Sequence, residues 1–555
     1  MSPQKMTREV ARTLSIAEQH DWFQKQRSRR ALLKGGLATT GALIAAPALL
    51  NGADGAALTV VKSSSRLAPF NTFVRNSTKN ANWYNGTTVT PFGGHVSFGP
   101  NPTSTINLAW QVAAQVNNPF VRIGTNPFDL GEAIPAETRV LSTPWADITD
   151  FLDSVPPAQS AAKAPEVQYY LHAAVTNLRP DTTYYYTVGH QGWDAPWQAP
   201  GFSGSFTTAP NFPQPFTFTA FGDHGTTYDA VGTANLILAQ NPAFHLHAGD
   251  VSYAEDGGDG LLTDPYDPRA WDSYFAQIGS VASQLPWMIS LGNHEMEPWY
   301  SPNGYGGDVD RIDFPGNGPS VCPGTYSFTY GNVAFVSLDP NDVSYEIPAN
   351  LGYSHGQQTA WLGSTLSALR SDPSVNFIVV FFHHCAYSTC TTHGCEGGVQ
   401  QFWTPLFDQY NVDLVINGHN HVYERTDPII GGSPTTSAPI GTTVTPATQG
   451  TTYITAGGAG KSLYAFSAPD SYEGNIDKIA SVSTYVNEAG GTTDNETVTW
   501  SQVRYTGYCL LVGEVTPARP GGTTTLVVRG LNEYGVEVDR ITLSRQVQQG
   551  RNVWR

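Results

Sequence analysis

Five short clusters of carboxylate, imidazole, amide and phenol side chains recur between residues 222 and 421 of this 555-residue chain. They read Gly222-Asp223-His224-Gly225, Gly249-Asp250-Val251-Ser252-Tyr253, Gly292-Asn293-His294-Glu295, Val380-Phe381-Phe382-His383 and Gly418-His419-Asn420-His421. Ten of the fourteen histidines lie between residues 224 and 421. Taken singly, a Gly-Asp is a turn and an Asn-His a capped loop. Five in succession, each where an apolar strand stops, call for another explanation. The side chains form a ligand set for two hard or borderline cations about 3.5–4 Å apart, and almost no cysteine takes part, which excludes a soft-metal site.

The elements around the clusters suit that chemistry. From Phe216 onward strands alternate with helix-length stretches. Strands are expected at 216–221, 244–248 and 287–291, a hairpin over 326–339 turning at Gly331-Asn332, and buried apolar strands at 377–382 and 412–416. Helices are expected over 228–240 and over 357–370, the second with Trp361, Leu362, Leu366 and Leu369 on one side. In such an α/β arrangement ligands bind outside the carboxyl ends of the strands, and glycine there lets the backbone turn and approach an ion. Ahead of this region, residues 67–210 read as short strands with turn punctuation, which predicts a β-sandwich, and 211–215 as a stiff linker.

The net charge of −17 and pI near 5.2 exclude a protein that binds nucleic acid through a basic face. A phosphate-handling protein of this charge needs a concentrated local cation. Ser28-Arg29-Arg30-Ala31-Leu32-Leu33-Lys34 followed by an uncharged run to Leu50 is a twin-arginine export pattern, with Ala46-Pro47-Ala48 offering small residues for cleavage. The expected domains are a leader over 1–57, a β-sandwich over 58–210 and a catalytic domain over 211–545, with the first fifty residues outside the fold. Expected partners are the twin-arginine translocation machinery and a small phosphate-ester substrate. The expected location is secreted or periplasmic, with no membrane span once the leader is gone. The five cysteines fit no zinc pattern; Cys390 and Cys395 bracket a loop tight enough to pair outside the cytoplasm, and the odd count leaves one thiol over.

The five clusters, with Tyr253 inside the second, resemble the signature of purple acid phosphatases within the metallophosphoesterase superfamily. The strands before them resemble the fibronectin type III-like N-terminal domain of the large, plant-type members. The resemblance spans about Leu67 to Leu543. It implies a mixed β-sandwich flanked by helices for the catalytic domain. It also implies an iron(III) held by Asp223, Tyr253, His421 and bridging Asp250, and a divalent iron, zinc or manganese held by Asp250, Asn293, His383 and His419. The implied activity is acid phosphatase: hydrolysis of phosphate monoesters by attack of a metal-bound hydroxide. His294 and His393 would face the phosphate, and Glu396 would orient His393. Alternatives are a phosphodiesterase or phospholipase-like hydrolase on the same metals, or a non-catalytic β-sandwich binding protein.

The neighbouring groups read as structural. His245 and His247 alternate with Phe244 and Leu246, His384 points away from His383, and Glu424 and Arg425 stabilise their loop by pairing. The role of His224 is left open, with a substrate contact as one option. The chain departs from its plant-type relatives at Thr392, where a second histidine is common, and at Cys385-Ala386 after His383. Both departures bear on substrate preference.

Overall fold

Strand Phe377–Phe381 is buried on both faces, and its residues divide between two cores: Phe377, Val379 and Phe381 enter one, Ile378 and Val380 the other. Leu414–Asn417 divides in the same way, Leu414 and Ile416 against Val415. Strands of this kind need cover on both sides, which is why they read as unbroken apolar runs. The computed structural model, which describes residues 6–35, 59–60, 89–143, 167–194, 203–472, 478–487 and 491–547, supplies it with two seven-stranded sheets packed face to face.

The first sheet contains three parallel strands, β1 (Phe216–Phe221), β2 (Phe244–Ala248) and β3 (Trp287–Ser290). Beside β1 it continues into the antiparallel C-terminal strands Cys509–Thr516, Thr523–Asn532 and Glu537–Gln546. The second sheet starts with the hairpin Tyr326–Tyr330/Val333–Ser337, where Gly331 takes φ +58°. It runs on through parallel β4 (Phe377–Phe381), β5 (Leu414–Asn417) and Thr452–Ala456. Phe218, Leu246 and Leu511 of one sheet share a core with Phe335, Val379 and Ile416 of the other. Helices Tyr228–Ala239 and Arg269–Ala282 cover the outer face of the first sheet through Ile237, Trp271 and Phe275; Gln357–Ser371 covers the second through Leu362 and Leu366. The alternating elements thus build an α/β domain, in the form of the helix-flanked mixed sandwich that the family resemblance implies.

The preceding strands form an all-β unit of two five-stranded sheets. It docks along the Arg269–Ala282 helix, where His95 stacks on Phe275 at 4.4 Å and Gln111 and Gln168 both donate to Asp272 Oδ1. A second contact centres on Asp313, which accepts from Arg139 Nη2 at 2.8 Å and lies 2.7 Å from His172 Nδ1. Burial alone would raise the Asp313 carboxyl, but His172 and Arg139 outweigh it and hold it well below the usual carboxylate range. A carboxyl depressed in this way stabilises the fold above its unfolded value near pH 4 and loses that contribution as pH falls through the folded value. Asp313→Asn is therefore expected to cost about 3 kcal/mol at pH 7. In thermal melts the gap to wild type should close as pH is lowered below about 4.

Two expectations are corrected. The first fifty residues do not all stand outside the fold: Met6, Ala11, Ile16 and Phe23 are buried against the catalytic domain. Helix Ile16–Gly35, capped by reciprocal bonds between Ser15 and Glu18, turns Ile16, Gln19, Phe23 and Gln26 to one buried face. The rest of that leader and its small-residue run fall outside the described residues. Cys390 and Cys395 are not paired; all five cysteines are buried free thiols, and Cys395 Sγ instead bonds the Ser388 backbone. No described helix is long and apolar enough to cross a membrane.

Candidate metal centre

The five clusters sit at the carboxyl ends of β1, β2, β3, β4 and β5, where the two sheets open at one edge. Those strand ends and the aspartates they carry pack so closely that the glycines there leave no room for a Cβ. A Cβ on Gly292 would stand 2.2 Å from Asp250 Oδ1, and one on Gly418 2.6 Å from Asp223 Oδ2. Asp223, Asp250, Tyr253 and His419 all hold φ between +55° and +67°. Non-glycine residues occupy that region at a cost of about 1–3 kcal/mol each, and such strain gathers at functional sites.

The side chains converge as two adjoining groups. In one, Tyr253 Oη lies 3.3 Å from Asp223 Oδ1 and 3.2 Å from His421 Nε2, and His421 Nε2 is 3.2 Å from Asp223 Oδ1. In the other, His383 Nε2 lies 3.1 Å from Asp250 Oδ2 and 3.2 Å from His419 Nδ1. Asp250, His383 and His419 each offer a ligand atom within 4.8 Å of the others. The groups touch through His383 Nε2, 3.8 Å from Asp223 Oδ1. Asn293 adds an amide beside the second group, where it packs with Asp250 and His419 in the wall of one cleft.

Each imidazole has its outer nitrogen committed, which fixes ring orientation and turns the other nitrogen inward. His383 Nδ1 bonds the Ala248 carbonyl at 2.8 Å, His421 Nδ1 the Ser462 carbonyl at 2.7 Å, and His419 Nε2 the Glu346 carboxylate at 2.9 Å. Asp223 Oδ2 and Asp250 Oδ1 accept from the backbone N–H of His419 and His294. Burial lowers His383, but Asp250 and Asp223 outweigh it and push its imidazole up to about 9. Burial and the neighbouring imidazoles hold His419 well below the ordinary value. Burial and the two aspartates push the Tyr253 phenol well above its own.

This donor set fits a pair of cations. Asn293 Oδ1 is buried without a hydrogen-bond partner, while its Nδ2 donates to the Gly258 carbonyl, so the oxygen is left as a free donor atom. Phenolate and carboxylate suit a trivalent ion; two imidazoles and an amide suit a divalent one.

A cleft of about 480 Å³ opens over these groups, and every described residue lining it lies between 250 and 491, so the N-terminal β unit contributes none. His294 and His393 both line it. His294 Nδ1 is bound to the Glu255 carbonyl at 2.6 Å. His393 Nδ1 is held at 2.6 Å by Glu346, which also carries His419. Burial lowers His393, but the Glu346 charge outweighs it and raises the imidazole above its ordinary value. The expectation for Glu396 is corrected. Its carboxylate accepts from the Tyr345, Glu346 and Gly398 backbone N–H groups and from the Ser344 hydroxyl, so it props the segment carrying Glu346 and does not touch His393.

Lys461, also missed by sequence reasoning, lines the cleft with Nζ 4.0 Å above the Tyr253 ring. Neither Glu346 nor Lys461 adjoins a cluster or carries a local signature. His224 is part of the core, bound to the Ala230 carbonyl and packed on Phe221 and Tyr274, not on the cleft. His245, His247 and His384 are buried packing groups, as read. Glu424 and Arg425 are structural but do not pair with each other: Arg425 takes Asp539 and Glu424 takes Ser388 and Thr389.

Residues 91–208 match the purple acid phosphatase N-terminal domain, and residues 216–423 match the calcineurin-like phosphoesterase domain. An uncharacterized protein of Mycobacterium tuberculosis is 32% identical over 469 residues, 79% of this chain and 83% of that protein. The Fe(3+)-Zn(2+) purple acid phosphatase 12 of Arabidopsis thaliana is 27% identical over 271 residues, 47% of this chain and 52% of its own. The structure of purple acid phosphatase PPD1 from yellow lupin seeds superposes with a TM-score of 0.60 at 20% identity, covering 82% of this chain and 75% of that one, a likeness of fold. Fold and site together define a metallophosphoesterase, a hydrolase of phosphate esters. The chain belongs to the purple acid phosphatase family.

Proposed function

We propose that this chain is an exported acid phosphatase that hydrolyses phosphate monoesters at an iron(III)–divalent metal pair. The observation that carries the reading is the phenol of Tyr253 inside the first of two adjoining donor groups. Asp223, Tyr253, His421 and bridging Asp250 would hold iron(III). Asp250, Asn293, His383 and His419 would hold iron, zinc or manganese, and the named iron–zinc relative supports that pairing. When bound, the pair supplies Lewis-acid neutralisation of phosphoryl charge and a water acidified toward neutral pH.

The chain's own residues do the rest. His294, its Nδ1 committed to Glu255, presents Nε2 to the cleft and with Lys461 holds the phosphoryl oxygens. His393, its Nδ1 committed to Glu346, presents Nε2 as the proton donor to the departing alkoxide. The Glu346 charge keeps that ring protonated on the acid side. The arginine pair Arg29-Arg30 supports export through the twin-arginine route to a secreted or periplasmic location.

A monoester brings two negative charges to a cleft whose positive charge the metal pair and Lys461 would supply, a diester one. Turnover of p-nitrophenyl phosphate is therefore expected to exceed that of bis-p-nitrophenyl phosphate by at least about 10-fold in kcat/KM, as one fixed charge contact at a reacting phosphoryl group is worth that much. A faster diester reaction would overturn the monoester reading in favour of a phosphodiesterase.

A further inference from the structure

The segment ahead of the arginine pair packs as part of the core, although the sequence pattern that follows it reads as an export signal. Ile16 sits among Leu291, Met296, Tyr305 and Ile347, and Met6, Ala11 and Phe23 join Leu261, Leu262 and Trp299. Polar contacts reach from it to one loop and its neighbour. The Leu262 N–H donates to Gln19 Oε1 at 2.7 Å, and Arg8 Nη2 lies 3.1 Å from Asp259 and 3.2 Å from Asp264. His20 Nδ1 reaches the Pro298 carbonyl at 2.9 Å.

The other side of that loop holds the cleft. The Glu255 carbonyl orients His294, the Gly258 carbonyl takes the Asn293 amide, and the Glu255 carboxylate ties down the Gly257 and Gly258 N–H groups. The loop thus lies between the N-terminal segment and Asn293 and His294. Peeling the segment away would expose Leu261, Leu262 and Met296 to water and exchange the Leu262 N–H bond to Gln19 for one to solvent, so the body grips this segment chiefly as it grips its own core.

We infer that residues 6–28 are a resident clamp on the 254–264 loop: the folded body keeps them when the chain is cut between the arginine pair and residue 88, and they hold Asn293 and His294 in place from behind. The second half rests on the reading of those two residues above; the first half does not.

The test is a full-length chain with a site-specific protease sequence placed at Ala46-Pro47-Ala48, cut to completion and run on gel filtration at 0.15 M and 0.5 M salt. The N-terminal fragment is expected to co-elute one-to-one with the body, with metal content and KM for p-nitrophenyl phosphate unchanged. In Ile16→Asp/Phe23→Asp the cut fragment should leave. The body should then lose divalent metal affinity and gain KM by about 10-fold or more, the usual effect of losing a group that orients a ligand. Arg8→Ala/Gln19→Ala, which removes only the polar grip, serves if the first variant fails to fold, and should show the same losses in smaller degree. A wild-type fragment that separates from a folded body overturns retention, whatever the enzyme's substrate. A released fragment with metal content and KM intact overturns the clamp.

Discussion

Asp250→Ala is expected to release both metals and to lower turnover by more than about 10³-fold, beyond the loss of a single charge-stabilising donor. Asp250 leaves β2 at φ +55°, with Oδ2 3.1 Å from His383 and Oδ1 fixed by the His294 N–H. Burial would raise its carboxyl, but His383 and His294 hold it well below the usual range, so it stands as an anion beside His383 in the second donor group. As the proposed bridge it would serve both metals, and its removal leaves His383 without its nearest counter-charge. Asn293→Ala touches one group only and should weaken the divalent site while iron stays. Metal analysis of the two purified variants checks this. Equal loss of both ions in Asn293→Ala would mean that Asp250 is not the bridge.

The second large effect is on His393. A proton donor helps only as far as the departing oxygen needs a proton: an alkoxide needs one badly, p-nitrophenolate hardly at all. General acids contribute about 10²- to 10⁴-fold, so His393→Asn should lower kcat for glycerol phosphate by about 10²-fold or more while p-nitrophenyl phosphate loses far less. Glu346→Gln should follow the same pattern in weaker form, because it removes the charge that holds the His393 ring protonated. His294→Asn should slow both substrates alike, since holding phosphoryl oxygens serves every ester. Equal losses for the two substrates in His393→Asn would reduce that residue to a phosphate binder.

Much of this site was legible because each candidate ligand lies within five residues of a strand end, and a buried strand announces itself locally. The alternation of Phe377 to Phe381 between two cores and the glycines at 249, 292 and 418 carry their reasons in the adjacent residues. What stayed hidden depends on partners far along the chain. Glu346 reaches His393 and His419 across 47 and 73 residues, and nothing beside it marks a site. Glu396 misled because nearness to His393 in sequence is not nearness of its carboxylate, which turns back to the 344–346 backbone. The leader misled differently. The arginine pair drew the whole N-terminus into one reading, although Ser15 and Glu18 form a capping pair and Ile16, Gln19, Phe23 and Gln26 keep a helical stripe ahead of it. Arg8 meets Asp259 across 251 residues, a contact no local pattern encodes.

The central claim is that Tyr253 is a ligand to iron(III) in a two-metal site. Iron and zinc content measured together with the visible spectrum of purified wild type and Tyr253→Phe tests it most directly. The prediction is two metals per chain, at least one of them iron, with a visible phenolate-to-iron band that Tyr253→Phe bleaches while most of the metal remains. An iron-replete wild type without colour, or a band that survives Tyr253→Phe, would contradict it.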